Sequence, residues 1–236
     1  MTILVISDTH IDPAHPFPEL WKMLGEYCVR TKPEYIVHLG DVADLNSRAW
    51  LKAARGLYTP EQEIDSVREH LEAFSQVLLD YNKMRRTMKK ALYKPKKILC
   101  LGNHDIRQDS TDIADLFTDY GWDAYDYLQP VQIEGVSFAH CMSKGLSGYM
   151  CTTAEELLEN WHGNIVVGHG HHRDFAESYS LAINEQIVAL KSPVFNLNEP
   201  EWAGQSCNKW SRGFTEIDTN PFRFVWRDLS CLLENS

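Results

Sequence analysis

No apolar run in the sequence approaches ~18 residues, which excludes an ordinary membrane-spanning helix. No Pro/Gly/Ser-rich stretch divides the chain. Nor does it open on a basic segment with a small-residue cleavage site, since Met1 leads straight into Thr2-Ile3-Leu4-Val5-Ile6. We therefore expect a soluble, cytoplasmic protein with no membrane contact. Cysteine is never paired as C-x-x-C: Cys28, Cys100, Cys141, Cys151, Cys207 and Cys231 stand apart, two of them inside apolar runs. Reduced packing residues fit that pattern better than disulfides or a zinc knuckle. Positive charge is scarce, and the formal net charge of -10 argues against indiscriminate nucleic-acid binding by the whole surface. What is present suffices for one substantial core: 236 residues, 44% hydrophobic, read as a single domain over 1–236.

Continuous apolar runs at 2–7, 35–39 and 97–101 predict strands buried on both faces. Between the first two, Phe17, Leu20, Leu24, Tyr27 and Cys28 recur at spacings of three and four and predict a helix over 17–31. This alternation means an α/β core. The next crossover is much longer, and we expect residues 45–96 to form a helical insertion. In it, Thr59-Pro60-Glu61-Gln62 reads as a helix start, and Ile64, Val67, Leu71, Phe74, Val77, Leu78, Tyr81 and Met84 form an apolar stripe. After a helix near 110–120, the run from Val131 to His140 alternates about Glu134-Gly135 and predicts an antiparallel hairpin. Thr153-Ala154-Glu155-Glu156 reads as a capping box, and strands are expected at 164–167, 186–194, 213–218 and 222–228. The second half should form a mixed or antiparallel sheet.

Basic residues are concentrated in one place. Lys83, Arg85, Arg86, Lys89, Lys90, Lys94, Lys96 and Lys97 fall within fifteen positions that hold no acidic residue, so the remainder carries -18 (-10 less 8). One reading is a solvated helix end that complements the helix dipole. The other is a surface for DNA or nucleotide phosphates, centred on Lys83, Arg85, Arg86, Lys89 and Lys90, although only Tyr93 offers an aromatic platform there.

Four clusters stand at predicted strand ends: Ser7-Asp8-Thr9-His10, Gly40-Asp41-Val42-Ala43-Asp44, Leu101-Gly102-Asn103-His104-Asp105 and Gly168-His169-Gly170-His171-His172. Taken alone, Gly-Asn-His-Asp could be an ordinary turn. Together they supply carboxylates, imidazoles and an amide, a mix that suits Mn²⁺, Fe or Zn²⁺ better than Mg²⁺ alone or Ca²⁺. In an extended segment Asp8-x-His10 and His169-x-His171 would each send both side chains to one face. His140 ends the hairpin and by itself would read as a core residue. Asp8, His10, Asp41, Asn103, His140, His169 and His171 make seven ligands, enough for two ions if Asp41 bridges them. His38, His15, His70 and His162 need only packing or surface roles, and His172 could line a substrate pocket or face solvent.

The blocks D-x-H, G-D-x-x-D, G-N-H-[DE], a lone H and G-H-x-H occur in that order from Asp8 to His171, and in this the chain resembles the calcineurin-like dinuclear metallophosphoesterases. The resemblance implies a four-layer α/β/β/α sandwich of two mixed sheets flanked by helices. It implies two divalent ions, Mn²⁺ first and Fe, Zn²⁺ or Ni²⁺ as alternatives, one on Asp8, His10 and His171, the other on Asn103, His140 and His169, with Asp41 between. His104 would be the general acid, oriented by Asp44, while Asp105 is expected to cap the following helix. Arg107, Lys144, Tyr149 and His172 are candidates for holding the substrate.

Members that act on phosphoproteins carry Arg-Gly after G-D-x-x-D and Glu after G-N-H. Here Leu45-Asn46 and Asp105 stand instead, similar to the group of phosphodiesterases, SbcD-type nucleases and small bacterial and phage phosphoesterases. The expectation is a phosphodiesterase acting on nucleic acid or a nucleotide. A phosphomonoesterase is the alternative, and a non-catalytic protein-interaction scaffold a more distant one.

Overall fold

A computed structural model describes residues 1–49, 58–146, 148–181 and 184–233. The first half alternates as predicted: β1 (Thr2–Ile6), α1 (Pro18–Thr31), β2 (Tyr35–His38), α2 (Pro60–Thr87), β3 (Lys96–Cys100), α3 (Asp112–Asp119) and β4 (Asp123–Tyr125). Then follow β5 (Val131–Ile133), β6 (Val136–Ala139), α4 (Ala154–Asn160), β7 (Asn164–Val167), β8 (Asp174–Ser180), β9 (Glu185–Lys191), β10 (Gly213–Thr219), β11 (Phe222–Asp228) and a short α5 (Ser230–Leu233).

These strands form two sheets, one ordered β11-β10-β1-β2-β3-β4 and the other β5-β6-β7-β9-β8. Both are mixed. β1 to β4 pair in parallel, while β10 runs antiparallel to β1 and β11 to β10. In the second sheet β6, β7 and β9 are parallel, flanked by antiparallel β5 and β8. The C-terminal strands thus return to extend the first sheet, so the second half of the chain is divided between the two. β8 carries no strand signal in the sequence, because its polar, largely exposed residues form an edge with little apolar alternation.

Side-chain alternation distributes each buried strand between two apolar interfaces. Leu4 and Ile6 pack with Leu24, Leu71, Phe74 and Phe117 on the helical side. Their neighbours Ile3 and Val5 face Phe138, Val166 and Leu190 of the second sheet. A third cluster, Leu157 with Ile165, Val167 and Ala189, covers the outer face of that sheet with α4. Three interfaces make four layers, the α/β/β/α sandwich expected.

α2 begins with a reciprocal cap, Gln62 N–H donating to Thr59 Oγ1 (3.3 Å) and Thr59 N–H to Gln62 Oε1 (2.9 Å). Its inner stripe, Val67, Leu71 and Phe74, joins the same core as α1. It is one helix of 28 residues, about 42 Å long. Residues 50–57 of the 45–96 segment lie outside the described residues. The helix delivers the basic run to the start of β3, whereas Gly102–Asp105 follows the end of that strand. A strand length of about 16 Å therefore separates the two.

Candidate metal centre

Five loops meet at the C-terminal ends of the central strands, where parallel α/β sheets leave a crevice. They are Ser7–His10 after β1, Leu39–Asp44 after β2, Leu101–Asp105 after β3, the turn at His140 after β6 and Gly168–His171 after β7. All seven side chains singled out in the sequence come together there. His171 Nε2 lies 3.3 Å from Asp8 Oδ1 and 3.1 Å from His10 Nε2. On the other side His140 Nε2 lies 3.4 Å from Asp41 Oδ2, 3.1 Å from His169 Nδ1 and 3.0 Å from Asn103 Oδ1. The donors thus form two clusters, Asp8/His10/His171 and Asp41/His140/His169, and a third grouping joins His10, Asp41 and His104 between them.

The local backbone differs from the extended one that the period-two spacing suggested. Asp8, His10, Asp41, His169 and His171 all have positive φ, between 41° and 63°. The alternation still aims each pair inward, but through left-handed turns rather than strand. Five non-glycine residues held there cost free energy, on the order of 1 kcal/mol or more apiece, and the packing around them must supply it. Gly102 is required for space rather than for its φ: a Cβ would lie 2.2 Å from Asp41 Oδ1. Gly40 needs both, with φ at +89° and a Cβ that would meet Gly102 N at 2.4 Å.

Hydrogen bonds on the outer ring nitrogens set the tautomers. His10 Nδ1 donates to Asp44 Oδ1 (2.8 Å) and His140 Nδ1 to the Leu39 carbonyl (2.7 Å). In the neutral ring each Nε2 then turns a lone pair inward, against other lone pairs: His140 Nε2 against Asn103 Oδ1 and Asp41, His10 Nε2 against His171. A cation at the centre would satisfy these lone pairs together. The charge balance agrees. Burial alone would lower the His140 pKa, yet Asp41 and Asp8 raise it to about 9, a negative field that would equally favour a bound cation. Burial would raise the Asp8 carboxyl, but His171 beside it holds it well below the usual range. Asp41 likewise overcomes its burial through His140 and His104. The donor set, imidazole with carboxylate and one amide oxygen, therefore fits two divalent ions of the borderline class.

His104 is 9% exposed and set slightly apart. Its Nδ1 faces the backbone carbonyl of Asp44 (3.1 Å), while the Asp44 carboxylate, 3.9 Å from that nitrogen, bonds His10 instead. The Asp44 main chain thus contacts His104 directly, with its carboxylate farther off. Arg107 Nη2 lies 3.1 Å from His104 Nε2, and its Nη1 reaches the Asp44 carbonyl at 2.5 Å. A guanidinium only donates, so Nε2 accepts and Nδ1 carries the proton. Burial, with Arg107 contributing, brings the His104 pKa down to about 4. Asp105 does not cap a helix. It accepts from Val42 N–H (2.9 Å) and Gly102 N–H (2.8 Å) and so clasps the two loops together, and burial with Asp41 nearby raises it to about 6.

The remaining candidates are placed less centrally. Lys144 pairs with Glu156, Tyr149 is 75% exposed, and His172 Nδ1 bonds the Gly170 carbonyl. His38 is a core residue as expected: Nδ1 accepts from Gly40 N–H (3.0 Å), Nε2 meets Thr9 Oγ1 (3.1 Å), and burial lowers its pKa to about 3. Two residues at the site carried no signal in the sequence. Lys191 is 3% exposed, with Nζ donating to the Thr152 carbonyl beneath Gly170. Trp210 packs its indole against His171 and His10, although 39 positions separate it from His171 in the chain.

A family model described as calcineurin-like phosphoesterase matches residues 1–199. Among solved structures, the chain is similar to Yfce, a phosphoesterase from E. coli, at 16% identity over 98% of this chain and 95% of that one, with a TM-score of 0.49. It is similar also to TT1561 of Thermus thermophilus, at 9% identity over 97% and 98% of the two chains, with a TM-score of 0.49. Likenesses this distant bear on neither substrate nor reaction. Among curated proteins none matches the sequence significantly.

Proposed function

Because the chain belongs to the calcineurin-like phosphoesterase family, we propose that it is a metal-dependent phosphodiesterase acting on nucleic acid or a nucleotide. The observation that carries this reading is the inward convergence of seven neutral or anionic donors with His104 and Arg107 at their margin. Asp8, His10 and His171 would hold one ion and Asn103, His140 and His169 the other, with Asp41 between the two groups and Mn²⁺ the first choice by ligand type. Metal ions held there would supply Lewis acidity toward a phosphoryl group and toward a water near neutral pH.

The chain's own groups do the rest. Arg107 transfers a hydrogen bond from His104 Nε2 to a non-bridging phosphoryl oxygen as substrate arrives, which frees Nε2 to face the leaving oxygen. The incoming anion raises the imidazole pKa, so His104 Nε2 takes a proton from solvent water and delivers it to the leaving oxygen as its bond to phosphorus breaks. The Asp44 carbonyl holds Nδ1 through both steps. Asp105 keeps the Asp41 and Asn103 loops in register.

The phosphomonoesterase reading draws on Arg107 too: a further cation at the site serves a dianionic phosphoryl group better than a monoanionic diester. The test is turnover by the Mn²⁺-loaded protein of bis-p-nitrophenyl phosphate, p-nitrophenyl phosphate and labelled single-stranded DNA, beside Asp41→Asn. We expect diester and DNA turnover that the variant lacks. Turnover of the monoester alone would overturn the diester assignment.

A further inference from the structure

We propose that Trp210 is a positioning residue for the Asp8/His10/His171 half of the centre: its indole fixes the ring plane of His171 and shields that half from water. This rests on the reading of these residues as metal ligands.

The indole meets the His171 ring edge to face, with centroids 4.5 Å apart and planes at 73°, and lies nearly parallel to the His10 ring at 6.3 Å and 21°. The two imidazoles are themselves at 5.0 Å and 86°. Three rings thus pack as one unit, within the range in which aromatic pairs attract beyond their burial. The backbone ties the same segments together. Ser211, next to Trp210, donates its N–H to the His171 carbonyl (2.9 Å), and its Oγ accepts from Arg173 N–H (3.2 Å). The Ser211 carbonyl also accepts from Val194 N–H (2.9 Å), which anchors the strap to the segment after β9. His171 sits at φ +57°, a conformation that its surroundings must enforce, and the Trp210–Ser211 strap bears directly on it.

His10 and His140 have their outer nitrogens held by Asp44 and Leu39. At His171 a flat apolar surface presses on the ring. Partners in this position, though they touch no metal, tune ligand orientation and solvent access, and their removal typically weakens binding by about 10–100-fold.

The experiment is a calorimetric titration with Mn²⁺ of the full chain, chelator-treated beforehand, for wild type, Trp210→Leu and Trp210→Phe. Leu keeps apolar volume without a ring, and Phe keeps a ring. We expect two Mn²⁺ ions in the wild type, one of them bound about 10–100-fold more weakly in Trp210→Leu, and affinity largely restored in Trp210→Phe. Paramagnetic quenching gives a second signature that does not depend on the Leu variant folding: the strongest component of Mn²⁺ quenching of wild-type tryptophan fluorescence should vanish in Trp210→Phe. Unchanged affinities in Trp210→Leu, or quenching unchanged in Trp210→Phe, would overturn this proposal alone. No Mn²⁺ uptake by the wild type would overturn the metal-centre reading and this proposal with it.

Discussion

The two ends of β3 carry charge in opposite ways. Beyond Cys100, ionisable groups from five loops are buried or half-buried, hydrogen-bonded and held within a few ångströms of one another. Before Lys96, lysines and arginines stand exposed along the end of α2, and none of Lys83, Arg86, Lys89, Lys90 and Lys94 forms an ion pair among the described residues. The first arrangement depends on geometry to a fraction of an ångström. The second depends only on charge density, and salt screens it. A run of like charge in the sequence therefore reports a surface, while chemistry is assembled from residues that no run reveals.

That contrast can be broken most sharply at His104. In His104→Ala we expect turnover to fall by about 10²–10⁴-fold with Mn²⁺ content unchanged, measured by single-turnover kinetics and metal analysis on the same sample. Equal turnover would remove His104 from the proton transfer.

His38 sharpens the comparison from beneath the site, since it is buried and titratable yet turned away from the donors. Its folded pKa of about 3 lies below the ordinary value of 6.5, so unfolding takes up a proton at acid pH. Its contribution to stability is present in full above pH ~6.5 and is lost as pH falls, by about 2 kcal/mol at pH ~5. His140 adds no slope there, because a pKa raised to about 9 contributes fully below the unfolded value. Urea unfolding of chelator-treated protein should therefore show a steeper acid-side decline in the wild type than in His38→Gln. Parallel curves would mean that His38 protonates in the folded state.

The smallest effect is expected at the other end of β3. Reversing Lys83, Arg86, Lys89 and Lys90 to Glu should leave bis-p-nitrophenyl phosphate turnover unchanged, because a strand length separates them from the centre. If long single-stranded DNA contacts that end, the variant's binding should weaken and its salt dependence become shallower by about 0.7 in log–log slope per lost phosphate contact. Equal DNA binding at several salt concentrations would reduce the basic run to a solvated helix terminus.

Much of the centre was legible in the sequence because its donors lie in short blocks, each at the end of an apolar run that could only be a buried strand. Asp8, His10, Asp41, Asn103, His140, His169 and His171 could be singled out by type, spacing and order. Their supports could not. Asp44 holds His104 with its main chain, a contact no side-chain pattern encodes. Asp105 looks like a helix cap in the sequence, and its two N–H partners, one of them on the Asp41 loop, made it a clasp.

By itself the sequence determined the strands and helices of the first half, through the continuous apolar runs Ile3 to Ile6, Ile36 to Leu39 and Ile98 to Leu101 and the apolar stripe of α2. Those signals are local: a side chain's burial alternates within a few residues, and a Thr-Pro-Glu-Gln start caps its own helix. Only the tertiary structure decided that β10 and β11 close on β1, that the basic run lies a strand's length from the centre, and that Trp210 faces His171. The physical reason is one of range. Loop closure over many residues costs little more for one pairing than for another, so distant partners are chosen by the sum of packing across the whole core, which no short stretch of sequence contains.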